Sequence, residues 1–134
     1  MAALGQWEFT NDRAATERAH AQTSRNYAAA RERLLPDAFV SFLRSVGVDP
    51  TKEGEAYHLV QVAPGKHHYG GWYHFVGGLQ KTGDFPKIEA APGFKFFLCR
   101  VHAPHLDALN GFNLVEVGFE AETVPWVINE PEPG

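Results

Sequence analysis

The chain has little of several features that mark particular protein classes. It contains a single cysteine, Cys99, and it carries 12 basic side chains against 16 acidic ones. A lone cysteine cannot form an internal disulfide and gives no sign of an oxidising compartment. A formal net charge of −4 disfavours a nucleic-acid-binding protein, because neutralising phosphates requires clustered Lys and Arg. We therefore expect no nucleic acid among its partners.

Long apolar runs are also missing. No segment approaches the roughly 18 consecutive apolar residues that span a bilayer. The first seven residues, MAALGQW, lack the basic and apolar regions of a secretory signal peptide. We therefore expect a cytoplasmic protein with no membrane partner.

What the chain does contain is typical of a globular domain. Its 134 residues are 44% hydrophobic and 13% aromatic, which is enough apolar surface for a core in one domain. Ala- and Arg-rich stretches give way near residue 55 to glycines and dense aromatics. This change predicts an α+β fold. We expect a single domain over 1–134, with a helical part over 1–55, an antiparallel sheet part over 56–129 and a flexible tail over 130–134.

Two N-terminal helices are predicted, over about residues 13–35 and 36–46. The first is rich in good helix formers and contains no Pro or Gly, but its apolar stripe is thin, so it either packs weakly or serves a partner chain. The second has apolar residues at i, i+3, i+4 and i+7, which is typical of a helix that covers a sheet. These residues are Phe39, Phe42, Leu43 and Val46.

The helices are expected to pack on a mainly antiparallel sheet of four or five strands. The clearest strands cover residues 56–63, 72–79, 94–101 and 114–122. The third is apolar on both faces, which favours a central position. The last alternates cleanly, so its acidic residues should share a solvent-facing side. A small, partly closed β-barrel with a helical arm is the alternative architecture.

Histidine is the unusual abundance, with seven residues against one Met and one Cys. Six of them lie between residues 58 and 105, mostly around a proposed His-rich hairpin and a later turn. Imidazole binds metals and titrates near neutral pH, and the neighbouring glycines leave room for a ligand. The candidate ligand-binding residues are His67, His68, Trp72, His74, His102 and His105.

The sequence gives less support to a metal site or a catalytic cysteine than to a ligand-binding site. The sequence has no His-Glu-x-x-His motif and no Cys pair, so we predict no cofactor and assign no catalytic residue. Cys99 lies within an apolar strand, where a lone cysteine is usually a small core residue. If a divalent metal such as Zn²⁺ is bound, its candidate ligands are His67, His74, His102 and His105. His67 and His68 are adjacent and point apart in an extended segment, so only one of them can join His74.

Three functions from different classes follow. The main prediction is a small non-catalytic binding or protein-interaction module. The first alternative is a small-molecule-binding or metal-dependent enzyme that uses the His-rich hairpin. The second alternative is a homo-oligomeric accessory or structural protein, for example a dimer, in which a sheet edge or the first helix pairs between copies.

Overall fold

Two helices begin the fold of this chain, whose computed structural model describes residues 12–79, 86–101 and 109–133. Helix α1 covers Arg13–Leu34 and helix α2 covers Asp37–Ser45. The side chain of Asp12 caps α1 by accepting the Ala15 N–H at 3.0 Å, which satisfies a backbone donor that the first helical turn leaves free. Both predicted helices are confirmed, to within a residue or two at each end.

Five strands follow in the described part of the chain. They are β1 (Glu55–Ala63), β2 (Lys66–Val76), β3 (Ile88–Ala91), β4 (Phe94–Arg100) and β5 (Leu114–Pro125). They form one antiparallel sheet in the order β1-β2-β5-β4-β3. The predicted α+β fold is confirmed, and the barrel alternative is wrong because the sheet stays open, with β1 and β3 as its edges.

Two details of the predicted sheet are wrong. Strand β2 begins at Lys66 rather than Trp72, because Pro64 and Gly65 alone reverse the chain between β1 and β2. Gly65 has a φ of +74°, a left-handed conformation that glycine adopts without the steric penalty of a side chain. The middle of the five strands is β5 rather than β4, although β4 is an internal strand, as its apolar faces predict, because it pairs with β5 and β3.

The core lies between the two helices and one face of the sheet, which we call the helix-covered face. Phe39 of α2 is 0% exposed, and it contacts the rings of Tyr73, Phe94, Phe96 and Phe119. Tyr27 of α1 packs on Tyr69, with ring centroids 5.5 Å apart. The thin apolar stripe of α1 is therefore compensated by one large buried tyrosine.

The opposite side of the sheet, which we call the helix-free face, carries the alternate residues of each strand. Because Tyr69 and Tyr73 point to the helices, Gly70, Trp72 and His74 of β2 point away from them. The register places Trp72 beside Gly118 of β5, and it places Phe97 of β4 on the other side of that glycine.

The predicted acidic, solvent-facing side of β5 belongs to this helix-free face. That prediction is wrong for Glu116, which is buried. Glu120 is only partly exposed and accepts a hydrogen bond from Lys87 Nζ at 3.0 Å. The partner of Glu120 lies directly before β3, which begins at Ile88.

Candidate functional site

The structure divides the predicted ligand-binding residues between two faces of β2. His67 lies on the helix-covered face, whereas His68, Trp72 and His74 lie on the helix-free face. His102 and His105 fall outside the described residues.

Distance along β2 separates the histidines further. His67 and His74 are seven positions apart along β2, and a strand rises by about 3.3 Å per residue, so the two are roughly 20 Å apart. The structure therefore does not bring these two predicted ligands to one centre. Within residues 12–79, 86–101 and 109–133, no group of three or more His, Cys, Asp or Glu side chains has the arrangement of a metal site.

His67 forms the middle of a buried hydrogen-bonded chain. Its Nδ1 is 2.9 Å from Nε2 of His58, and its Nε2 is 2.8 Å from Oε1 of Glu132. The ring of Trp126 lies against it, with centroids 5.1 Å apart, and the His67 side chain is 0% exposed. Both ring nitrogens of His67 are thus engaged by protein groups, as expected of a buried imidazole.

His58, which the sequence did not single out, is altered by this contact. Burial, together with the neighbouring His67, lowers its pKa below the ordinary 6.5. Both causes act against the charged form, because an imidazolium loses solvation when buried and is repelled by a second positive charge.

A second polar group crosses three strands on the helix-free face. Nε2 of His74 on β2 is 3.0 Å from Oε1 of Glu116 on β5, and Sγ of Cys99 on β4 donates to Oε2 of the same carboxylate at 3.5 Å. We call these three residues the polar row. The side chains of His74 and Glu116 are only 2% and 8% exposed, so this row is an internal part of the sheet.

The thiol of the polar row is held in its neutral form. Burial, followed by the charge and the hydrogen bond of Glu116, raises the pKa of Cys99 from 9.0 to about 11. The nucleophile in cysteine chemistry is the thiolate, and very little of it exists at neutral pH under these conditions. The geometry therefore makes Cys99 a hydrogen-bond donor to Glu116.

Beside the polar row, three aromatic rings lie on the sheet, and we call them the aromatic floor. They are Tyr57, Trp72 and Phe97. A Cβ on Gly70 would come 2.8 Å from Oη of Tyr57, and a Cβ on Gly118 would collide with the ring of Phe97. These two rings therefore occupy the space that larger residues at the glycine positions would fill.

The rings of Tyr57 and Trp72 also touch each other. Their centroids are 5.8 Å apart at an interplanar angle of 49°, within the range of favourable aromatic pairs. Tyr57 remains 36% exposed. Lys87 lies above the third ring, with Nζ 5.7 Å from the centroid of Phe97.

Sequence reasoning found Trp72 and His74 but missed the residues that surround them. Glu116, Tyr57 and Phe97 come from three other strands, and only the strand order places them beside β2. One signal was available: a glycine inside the regular alternation of a strand, such as Gly118, often marks the close approach of another group.

No protein-family model, curated protein or solved structure matches the chain. Within the described ranges, no helix has both the length and the apolar character needed to cross a bilayer. The chemistry of the site therefore has to be inferred from its own side chains.

Proposed function

We propose that the chain is a non-catalytic binding module that holds a small planar aromatic molecule against the aromatic floor. The observation that carries this proposal is the set of three rings on the face that neither helix covers, two of which rest on strand glycines. Ligand sites are commonly lined by aromatic side chains with a few fixed polar groups, and a planar ligand can stack on such rings.

The polar row supports binding rather than catalysis. His74 and Glu116 are almost fully buried and bonded to each other, and the raised pKa of Cys99 keeps its thiol neutral. Such a network holds β2, β5 and β4 in register, because breaking it would leave buried polar groups without partners. In the proposed module, the polar row keeps the strands that carry the aromatic floor in place.

The charges near the floor favour a small ligand of low charge. Glu120 pairs with Lys87, and Glu122 lies 3.5 Å from Lys95. Within each pair the positive and the negative charge offset each other, and the chain as a whole is acidic. A polyanion such as nucleic acid would therefore gain little electrostatic attraction here.

Calorimetric titration with indole, quinoline and adenine tests the proposal. We expect at least one of these planar probes to bind, and Trp72→Ala to weaken that binding about tenfold, as loss of an aromatic pair predicts. Val127→Ala is the matched control, because Val127 is an exposed apolar residue in the C-terminal segment. Failure of all three probes to bind at millimolar concentration, or equal binding by Trp72→Ala, would contradict the proposal.

A metal-dependent enzyme is the second candidate, and the His74–Glu116 contact favours it. A carboxylate that holds one ring nitrogen of a histidine is the usual surrounding of a metal-bound imidazole. Elemental analysis of untagged protein is the direct test. About one equivalent of a divalent metal per chain, lost in His74→Gln, would support this candidate, and a content far below one would remove it.

A further inference from the structure

The last described segment of the chain runs beside α1 and the β1–β2 turn. We call residues 126–133 the C-terminal strap. The Trp126 N–H donates to the carbonyl of Gly65 at 3.1 Å, and the Val127 N–H donates to Oδ1 of Asn26 at 2.7 Å. Asn26 is 0% exposed, so one end of the strap is fixed by a buried amide.

Farther along, the strap is held by side chains of α1. Nε2 of Gln22 donates to the carbonyl of Pro131 at 2.7 Å, and the guanidinium of Arg25 makes two hydrogen bonds to Glu130, at 3.2 and 2.8 Å. The Arg25–Glu130 pair is well exposed. Exposed ion pairs of this kind contribute little to stability.

The remaining attachment is Glu132, and it depends on the histidine chain. Oε1 of Glu132 accepts the Gly65 N–H at 2.8 Å and lies 2.8 Å from Nε2 of His67, whose Nδ1 is 2.9 Å from Nε2 of His58. His67 is thus enclosed between a titratable imidazole and a carboxylate, and the ring of Trp126 lies against it at an interplanar angle of 47°.

The number of protons on His58 and His67 decides which hydrogen bonds of the His58–His67–Glu132 chain persist. With both histidines neutral, His58 donates to His67 and His67 donates to Glu132. With one added proton shared by the two histidines, each contact still joins one N–H to one acceptor, and the carboxylate of Glu132 lies within hydrogen-bond distance to balance the charge. With two added protons, two N–H groups face each other at 2.9 Å, so one hydrogen bond is lost and two positive charges repel.

We propose that the C-terminal strap is a proton-operated latch, closed while His58 and His67 share at most one added proton and released when both are protonated. Release uncovers His67 and the surface of α1 around Asn26. This surface is on the opposite side of the sheet from the aromatic floor, so the latch is independent of the proposed ligand site.

The electrostatics of His58 agree with the direction of this switch. Burial and the nearby His67 lower the pKa of His58, so the released or unfolded state binds more protons than the closed state below the ordinary pKa of about 6.5. Closure is therefore fully stable above that pH and weakens as the pH falls. The other groups packed around the pair are Glu132, the ring of Trp126 and the phenol of Tyr69, whose ring centroid is 5.3 Å from that of His58.

Amide hydrogen exchange followed by NMR tests the latch, with rates corrected for the intrinsic effect of pH. Between pH 7.5 and pH 5.0, we expect protection of the Gly65 and Trp126 amides to fall at least tenfold, while the Val117 amide inside the sheet stays protected. The range ends above the ordinary titration of carboxyl groups. Unchanged protection of the two latch amides in the wild-type protein would overturn the proposal.

Three variants distinguish release of the C-terminal strap from a general loss of stability at low pH. His58→Gln keeps a side chain that can donate or accept toward His67 but does not titrate, so the strap should stay closed at pH 5.0. Glu132→Gln removes the charge that balances the first added proton, so release should move to higher pH. Glu130→Gln, the matched control, should leave the pH of release unchanged. Release of His58→Gln at the wild-type pH, or equal shifts in both glutamate variants, would also overturn it.

Discussion

Replacing Glu116 by glutamine tests the arrangement of the polar row through the reactivity of its thiol. The chain has one cysteine, so an alkylating reagent reports on Cys99 alone. Its pKa of about 11, against an ordinary 9.0, lowers the thiolate fraction near neutral pH about a hundredfold. Two of the three causes of this increase, the charge and the hydrogen bond, come from Glu116, whereas the largest, burial, does not.

Glu116→Gln should therefore restore part of the lost reactivity. We expect the rate of iodoacetamide alkylation at pH 8 to rise about tenfold, because the reagent reacts with the thiolate and only burial continues to suppress it. Glu120→Gln is the matched control, since Glu120 lies on the same face of β5 but bonds to Lys87. An unchanged or slower rate in a folded Glu116→Gln protein would refute the assignment of Cys99 as a donor to this carboxylate.

Three further predictions concern stability and can be checked by urea denaturation. Phe39→Ala should lower the free energy of unfolding by about 3–5 kcal/mol, because it empties the fully buried centre of the aromatic core. Gly65→Ala should cost roughly 1–2 kcal/mol, because φ at this position is +74°, whereas Gly78→Ala, which meets no atom within 4 Å, should change stability by less than about 0.5 kcal/mol. Glu53→Gln should lower the free energy of unfolding by about 2 kcal/mol, because Arg31 Nη1 donates to both oxygens of this largely buried carboxylate. A decrease no larger than that of Gly78→Ala would contradict this expectation.

The two helices and four of the five strands were predictable because they depend on local patterns, whereas no strand was predicted over the short β3. The spacing of Phe39 and Leu43 fixes the apolar face of α2, and the strict alternation around Val117 identifies β5. Strand order was not predictable, because it depends on which strands bury the most surface together. The apolar pattern of β4 suggested a central strand, but it arises because Phe97 covers Gly118 on the helix-free face.

The candidate site was predictable only in part for the same reason. Trp72 and His74 were identified because they stand among glycines in a His-rich segment. Glu116, the partner of His74, is 42 residues away from it along the chain, and Cys99 is 17 residues away from Glu116. No local pattern links these three residues. The acidic residues of β5 suggested a solvated surface, whereas pairing with β2 and β4 buries one of them.

The sequence by itself determined the α+β class, the two helices and the approximate position of four of the five strands, because helix and strand periodicity record which side of each segment is apolar. Only the tertiary structure decided how His58, His67 and His74 are used. An imidazole has no fixed preference between core, surface and site, so its surroundings assign its role. In β2 those surroundings differ on the two sides of one strand: His67 is enclosed with His58 and Glu132 beneath the C-terminal strap, and His74 joins Glu116 beside the aromatic floor.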